Sequence, residues 1–379
     1  MKIVFVAMRS IHTIRWINQL KDSGFEVHWF DIQNTGYIQD LNWVTQHTKW
    51  KLKFGDFKGR TFLKKHVPFA HKMLEHNVEK KFETILNEVK PDVVHSIVLY
   101  KCALPIVNVM KHYNHIKWIY SSWGSDLYHF KNETTGLNNI KLLLSKFDYM
   151  FADCNRDKYS AKTLGFKGEF LGVFPGGGGF HLEVLNQFVK PFENRDIILI
   201  KGYQGRSGRA LHILKAIVAS LDTFKNYKLI IFGADKEVLN YIENTIQLKT
   251  IVYKVYSKSP MLPRKELLKI MGRSILYIGN SASDGMPNTL LEAISMGAFP
   301  IQSNPGGATE DVLIHNKNGL LINDVENEKH ILSLLKIAIN NEKLRTNAFL
   351  YNQDIKMKYD YKVVKSKVLS CYQNVQSQL

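Results

Sequence analysis

Short apolar runs of strand length alternate with segments of helical period from one end of the chain to the other. The first run, Ile3–Ala7, is followed by a predicted helix near Thr13–Ser23 that Gly24 closes, and then by a second run at Glu26–Phe30. Further runs occur at Asp92–Ile97 (behind Pro91), Lys117–Ser121 and Tyr149–Ala152, each preceded by a helical stretch. Near-continuous apolar character suits strands buried on both faces, and strand–helix alternation suits a parallel sheet covered by helices on either side.

After Phe174-Pro175 the chain passes through four glycines, Gly176–Gly179, and a polar segment, Asn186–Arg195, before the alternation restarts. The glycine run reads as a flexible exit from a first domain. The second half repeats the pattern: strand Ile197–Ile200, helix Ala210–Ser220, strands Lys228–Phe232 and Thr250–Val255, helix Arg264–Met271, strand Ile275–Ile278, helix Asn288–Met296 and strand Phe299–Gln302. The expectation is an N-terminal Rossmann-like domain over 1–185, a second over 195–355, and a C-terminal helix over 356–379 that packs back toward the first. In doubly wound sheets a ligand sits at the carboxyl ends of the strands.

The length of 379 residues agrees with two domains, and 45% apolar residues are enough for packed cores. Lys and Arg number 51 against 34 Asp and Glu, a formal net charge of +17, which points to an anionic partner. Cys102, Cys154 and Cys371 lie too far apart for a Cys-x-x-Cys pair, so neither a disulfide framework nor a zinc ribbon is expected, and a reducing cytoplasm is the default location. The first apolar run is too short for a signal sequence and stops at Arg9; no stretch is long enough to span a membrane.

The most informative stretch is Ser281-Ala-Ser-Asp284-Gly285-Met286-Pro287-Asn288-Thr289-Leu-Leu-Glu292-Ala-Ile-Ser-Met-Gly297. It follows a buried strand and opens a helix in which Pro287 suits the first turn, Asn288 a cap and Gly297 the C′ position. Such a helix aims its first N–H groups, those of Met286 to Thr289, at a phosphate-sized anion. Asp284 and Glu292 would repel a diphosphate. Beside one they make sense as acceptors for neutral hydroxyls, those of a sugar and a ribose.

With seven residues between them, Asp284 and Glu292 resemble the Glu-x7-Glu signature of the large family-4 retaining glycosyltransferases, also described as glycosyl transferases group 1, of the GT-B fold. Phe299-Pro300-Ile301-Gln-Ser-Asn-Pro305-Gly306-Gly307-Ala-Thr-Glu310 and Asn318-Gly319-Leu320-Leu321 resemble that family's next strand, glycine loop and turn. Pro91-Asp92-Val-Val-His95, Ser122-Trp123-Gly124-Ser125-Asp126 and Val173-Phe174-Pro175-Gly176 resemble three motifs of its N-terminal half. Two departures stand out: Asp284 is a methylene shorter than the usual Glu, and Trp123 occupies a position where His is commoner. The resemblance implies an α/β fold with two tandem Rossmann-like domains whose parallel sheets face a central cleft. It also implies a retaining transfer of a sugar from a nucleotide-diphosphate-sugar to a hydroxyl acceptor, in cell-surface glycan, lipid-linked oligosaccharide or glycoconjugate synthesis.

On that reading Glu292 holds the ribose, Asp284 the sugar, and the loop Lys201-Gly202-Tyr203-Gln204-Gly205-Arg206-Ser207-Gly208-Arg209 the diphosphate. Glycines let backbone approach phosphate and arginines fork onto its oxygens. His12, Trp123 and Asp126 are expected on the acceptor side. No Asp-x-Asp occurs, so neither a metal site nor a cofactor beyond the donor substrate is expected. The same loop could be read as a dinucleotide-binding glycine pattern, but it lies mid-chain between basic residues, and the loop after the first run, Met8-Arg9-Ser10-Ile11-His12, has no glycine. A sugar-nucleotide epimerase of the same fold, or a non-catalytic polyanion-binding protein on a decayed scaffold, are the alternatives. Residues 49–81 hold ten basic against three acidic residues, interleaved with Trp50, Phe54, Phe57 and Phe62, and read as a face for an anionic membrane surface at the inner side of the cell membrane. No nucleic-acid-binding module accompanies the charge.

Overall fold

A computed structural model describes residues 1–52, 62 and 66–379. Much of the basic segment 49–81 therefore lies outside the described residues. The chain forms two units, one of residues 1–153, 157–178 and 365–379, the other of 154–156 and 179–364.

The first unit holds a seven-stranded sheet in the order β3-β2-β1-β4-β5-β6-β7. Its strands are β1 (Lys2–Ala7), β2 (Glu26–Asp31), β3 (Thr45–His47), β4 (Val93–Ile97), β5 (Lys117–Ser122), β6 (Tyr149–Ala152) and β7 (Glu169–Val173). All pairs are parallel; Phe5 lies opposite both Trp29 and His95. The helix Ile11–Asn18 starts where the Ser10 hydroxyl accepts the Thr13 N–H, and the chain then turns through Gly24 at φ +78°. The predicted helix thus ends five residues early, in a series of turns.

The second unit holds a six-stranded sheet in the order β10-β9-β8-β11-β12-β13, again parallel throughout. Here β8 is Ile197–Lys201, β9 Lys228–Ala234, β10 Tyr253–Ser257, β11 Ser274–Gly279, β12 Phe299–Ser303 and β13 Leu320–Ile322. β8 and β11 are buried along their whole length. Ile198, Ile200, Leu276 and Ile278 pack under the helices Ala210–Val218 and Glu328–Asn340 on one face, while Leu199 and Tyr277 pack with Leu290, Leu291 and Ile294 on the other. Strand order reverses between β1 and β4 and between β8 and β11, and such switch points open a crevice at the strands' carboxyl ends.

The glycine run is not an open exit. Gly176 to Gly179 are buried, Gly178 and Gly179 have φ +69° and +83°, and a Cβ on Gly178 would lie 2.8 Å from the Gln19 amide. Backbone packs where side chains have no room. The chain passes to the second unit at Gly179, because Phe180 exchanges backbone hydrogen bonds with Tyr359 and Tyr361 and is buried with Leu182 and Leu185. Residues 356–364 also belong to that unit. The helix Tyr361–Ser377 delivers Tyr372 to the first unit, where its buried hydroxyl lies 3.1 Å from Trp16 Nε1 and 2.7 Å from His95 Nδ1. Among the described residues no helix is long and apolar enough to cross a membrane.

Candidate functional site

In the second unit the loops after β8, β9 and β11 meet at the switch point. β8 ends on Lys201, and Gly202 follows because nothing larger fits: a Cβ there would come 2.9 Å from the Ala234 Cα. The loop 203–209 is laced to the end of β11 through Arg209 N–H to Asn280 O (2.9 Å) and Ala282 N–H to Ser207 O (2.7 Å). A Cβ on Gly208 would lie 2.2 Å from the Tyr203 carbonyl oxygen, so this hairpin also requires glycine. Asp284 and Lys201 are thereby brought together, with Lys201 Nζ 3.5 Å from Asp284 Oδ2. Burial lowers the affinity of the Lys201 ammonium for its proton, but the Asp284 carboxylate, with Tyr277 and Tyr203, outweighs it and holds the pKa above the ordinary lysine value.

The Asp284 loop is held from several sides. Its Oδ1 accepts the Gly285 N–H at 3.0 Å. Arg156 Nη1 donates to the carbonyl oxygens of Asp284 (2.7 Å) and Pro305 (2.8 Å), tying this loop to the one after β12, where Gly306 and Gly307 adopt φ +63° and +84°. Met286 points its side chain into the core. The helix that follows spans Asn288–Ser295; Pro287 takes the N-cap position and Asn288 is the first helical residue, so the capping order differs from the predicted one by a residue. Proline has no N–H to satisfy at a cap, and its extended φ/ψ of −69°/117° suits that position. Thr289 Oγ1 is 2.9 Å from the Tyr277 hydroxyl, whose pKa burial pushes up to about 12. Gly297 takes φ +80° and closes the helix, as predicted.

Glu292 is buried one turn into this helix, and its Oε1 is 2.6 Å from Arg264 Nη1. Arg264 opens the helix Arg264–Gly272 and was not singled out from the sequence; it lies 28 positions before Glu292 with a strand between them, so no local spacing signals the pair. Tyr203 falls inside the glycine loop legible in the sequence, but neither it nor Lys258 carries a signal of its own there. The Tyr203 ring lies under two ammonium groups, Lys201 at 4.8 Å and Lys258 at 4.9 Å, and Lys258 in turn pairs with Asp235 at 3.0 Å. The two arginines of the glycine loop part ways. Arg206 is exposed, whereas Arg209 donates from Nε to Glu326 (2.8 Å) and from Nη1 to the carbonyls of Gly205 and Gly208.

In the first unit His12 and Trp123 do come together, with ring centroids 6.5 Å apart, at the ends of β1 and β5. Trp16 packs against Trp123 at 5.9 Å, and a Cβ on Gly176 would touch the indole. Asp126 does not join them. It is buried, accepting the Tyr120 hydroxyl and the Leu99 N–H through Oδ2, each at 2.6 Å, and burial raises its pKa to about 7. It braces the chain after β4, which corrects the expectation that it faces an acceptor. The physical reason is that the helical turn after Gly124 rotates its carboxylate inward, onto Tyr120 of β5.

Comparison with known proteins supplies the context for this geometry. The model of glycosyl transferases group 1 matches residues 185–352, and that of glycosyl transferase 4-like proteins matches residues 2–154. No curated protein sequence matches. Among solved structures, sucrose-phosphate synthase from Thermosynechococcus elongatus superposes with a TM-score of 0.72 at 12% identity, covering 100% of both chains. Anabaena HepE in complex with UDP and glucose gives 0.71 at 13%, and the lipopolysaccharide outer core galactosyltransferase WaaB gives 0.68 at 15%, both likewise covering 100% of each chain. Residues 185–352 are thus matched by the group 1 glycosyltransferase model and residues 2–154 by the glycosyl transferase 4-like model, and two parallel sheets with these strand orders, superposing along the full chain on solved glycosyltransferases, give the protein the GT-B fold.

Proposed function

We propose that the protein transfers a sugar from a nucleotide-diphosphate-sugar to a hydroxyl acceptor with retention at the anomeric carbon. The observation that carries this reading is the convergence of Lys201, Asp284 and the start of the Asn288–Ser295 helix at the β8/β11 switch point. Lys201, Arg206, Arg209 and the N–H groups of Met286, Asn288 and Thr289 take the diphosphate, Asp284 accepts from sugar hydroxyls, and Glu292 accepts from the ribose. Charge develops on the departing diphosphate as the glycosidic bond breaks, so preorganised cations there lower the barrier without needing a metal. The departing phosphate oxygen takes the acceptor's proton on the same face. His12 and Trp123 hold the acceptor, a glycan or a lipid-carried one. The basic composition of 49–81 supports an anionic membrane surface as the place where such an acceptor is met. That HepE was solved with UDP and glucose, and the pneumococcal O-GlcNAc transferase GtfA with UDP and GlcNAc, supports a uridine donor.

The test is a thermal-shift panel of nucleoside diphosphates followed by acceptor-free hydrolysis of the matching nucleotide sugars, the released anomer being read by NMR. UDP is expected to raise Tm, and the sugar to appear with retained configuration. Arg206→Ala should lower kcat by about tenfold, roughly 1.4 kcal/mol of barrier, in a folded protein. A protein whose Tm responds to no nucleoside diphosphate, or an inverted product, overturns the reading.

A further inference from the structure

The ion pair between Arg264 and Glu292 joins a buried carboxylate to an exposed guanidinium. The carboxylate side chain is 4% exposed and the guanidinium 43%. By contrast, Lys201 and Asp284 are both largely covered, at 10% and 27%. A carboxylate removed from water is costly unless a cation compensates it, and one oxygen of Glu292 is spent on Arg264 at 2.6 Å. A guanidinium donates along fixed directions in its plane, so this contact fixes where Oε1 points as well as compensating its charge. Arg264 itself is fixed at the first position of the helix Arg264–Gly272, whose Leu268 and Met271 are buried against the same core as Leu290 and Leu291. Donor and acceptor thus stand on two helices locked to one hydrophobic layer, the arrangement that holds a side chain in a single orientation.

We propose that Arg264 is the positioning residue for Glu292: it turns the carboxylate so that it accepts from ribose hydroxyls, and so sets the preference of the donor site for a ribonucleotide. This rests on the reading of Glu292 as the ribose acceptor. The rival role, a cation that binds the donor's phosphates directly, is separable because it would act on any nucleoside diphosphate whether or not the ribose hydroxyls are present.

The experiment measures Kd by calorimetry for UDP and for 2′,3′-dideoxy-UDP with the full-length protein and its variants. The unaltered protein should prefer UDP by at least about tenfold, since a site built to bond a hydroxyl rejects the analogue lacking it. Arg264→Ala should reduce that preference to less than about threefold while leaving the Kd for 2′,3′-dideoxy-UDP within about twofold, and Arg264→Lys should restore part of it. If Arg264→Ala does not fold, Arg264→Gln gives the same ratio. A variant that keeps the full preference, or that weakens both ligands equally, overturns the proposal and in the second case assigns Arg264 to phosphate. An unaltered protein that binds UDP but does not distinguish the two nucleotides refutes the ribose role of Glu292 itself, and the proposal with it.

Discussion

The two units treat ionisable side chains in opposite ways. At the β8/β11 switch point of the second unit, acids and bases are paired: Lys201 with Asp284, Arg264 with Glu292, Arg209 with Glu326 and Lys258 with Asp235. Around β4 and β5 of the first unit, burial favours the neutral forms: His95 is driven down to about 3, Asp126 is raised to about 7, and the Tyr372 hydroxyl is pushed well above its usual range. The proposed donor site lies among the paired charges; the polar groups of the other sheet end serve as internal struts. The difference teaches that polar clusters at equivalent places in two parallel sheets can be built in opposite ways, one from mutually compensating charges and one from buried, hydrogen-bonded groups.

Removing the central strut should break this contrast most severely. Tyr372 is fully buried between Trp16 and His95, and Tyr372→Ala is expected to cost about 3–5 kcal/mol by urea denaturation through cavity formation and two orphaned polar groups. A loss under about 1 kcal/mol would mean that the C-terminal helix contributes little to the first unit.

A smaller effect isolates Asp126. Its folded pKa is raised by burial, so between the unfolded value near 3.8 and about 7 the native state binds the extra proton. Its contribution is therefore fully present below pH 4 and is lost as pH rises to 7, with a slope of up to about 1.4 kcal/mol per pH unit. Asp126→Asn, which keeps an acceptor for Tyr120 and Leu99, should gain stability relative to the unaltered protein as pH rises through this window. His95 has the opposite sign: its folded pKa is lowered, so stability falls as pH drops below about 6.5 toward 3. A difference between Asp126→Asn and the unaltered protein that stays flat from pH 4 to 7 would place an ionised carboxylate in the first unit after all.

The smallest expected effect sharpens the other side. Glu326 is 60% exposed, and Glu326→Gln should change stability by less than about 1 kcal/mol. If Arg209 is a diphosphate ligand, releasing it from Glu326 should tighten UDP binding by about two- to threefold, mostly at low salt. Weaker binding would show that Glu326 positions Arg209 rather than competing for it.

Central strands were legible because burial on both faces writes an apolar run: β1, β4, β8 and β11 all appear in the chain as such. The edges were not. β3 and β13 have three residues each, and β7 carries a register shift around Gly172, so none shows a pattern long enough to read. At the site, Lys201, Asp284 and Glu292 were legible because each stands at a fixed distance from a strand end or a helix start. Arg264 and Lys258 were not, since each meets its partner across loops, and Tyr203 stands inside the legible loop with no pattern that marks its ring beneath two ammonium groups. His95 and Asp126 lie in motifs that read as functional, yet only their neighbours in space show that one is locked under Tyr372 and the other under Tyr120.

Local patterning therefore specifies two parallel α/β units, their switch points and which loops carry cations, acids and glycines, because periodicity and turn chemistry act over a few residues. Tertiary structure decides which of those charges remain ionised and which are paired, because desolvation and ion pairing depend on partners that can lie over a hundred residues away, as for Arg209 and Glu326, 117 positions apart.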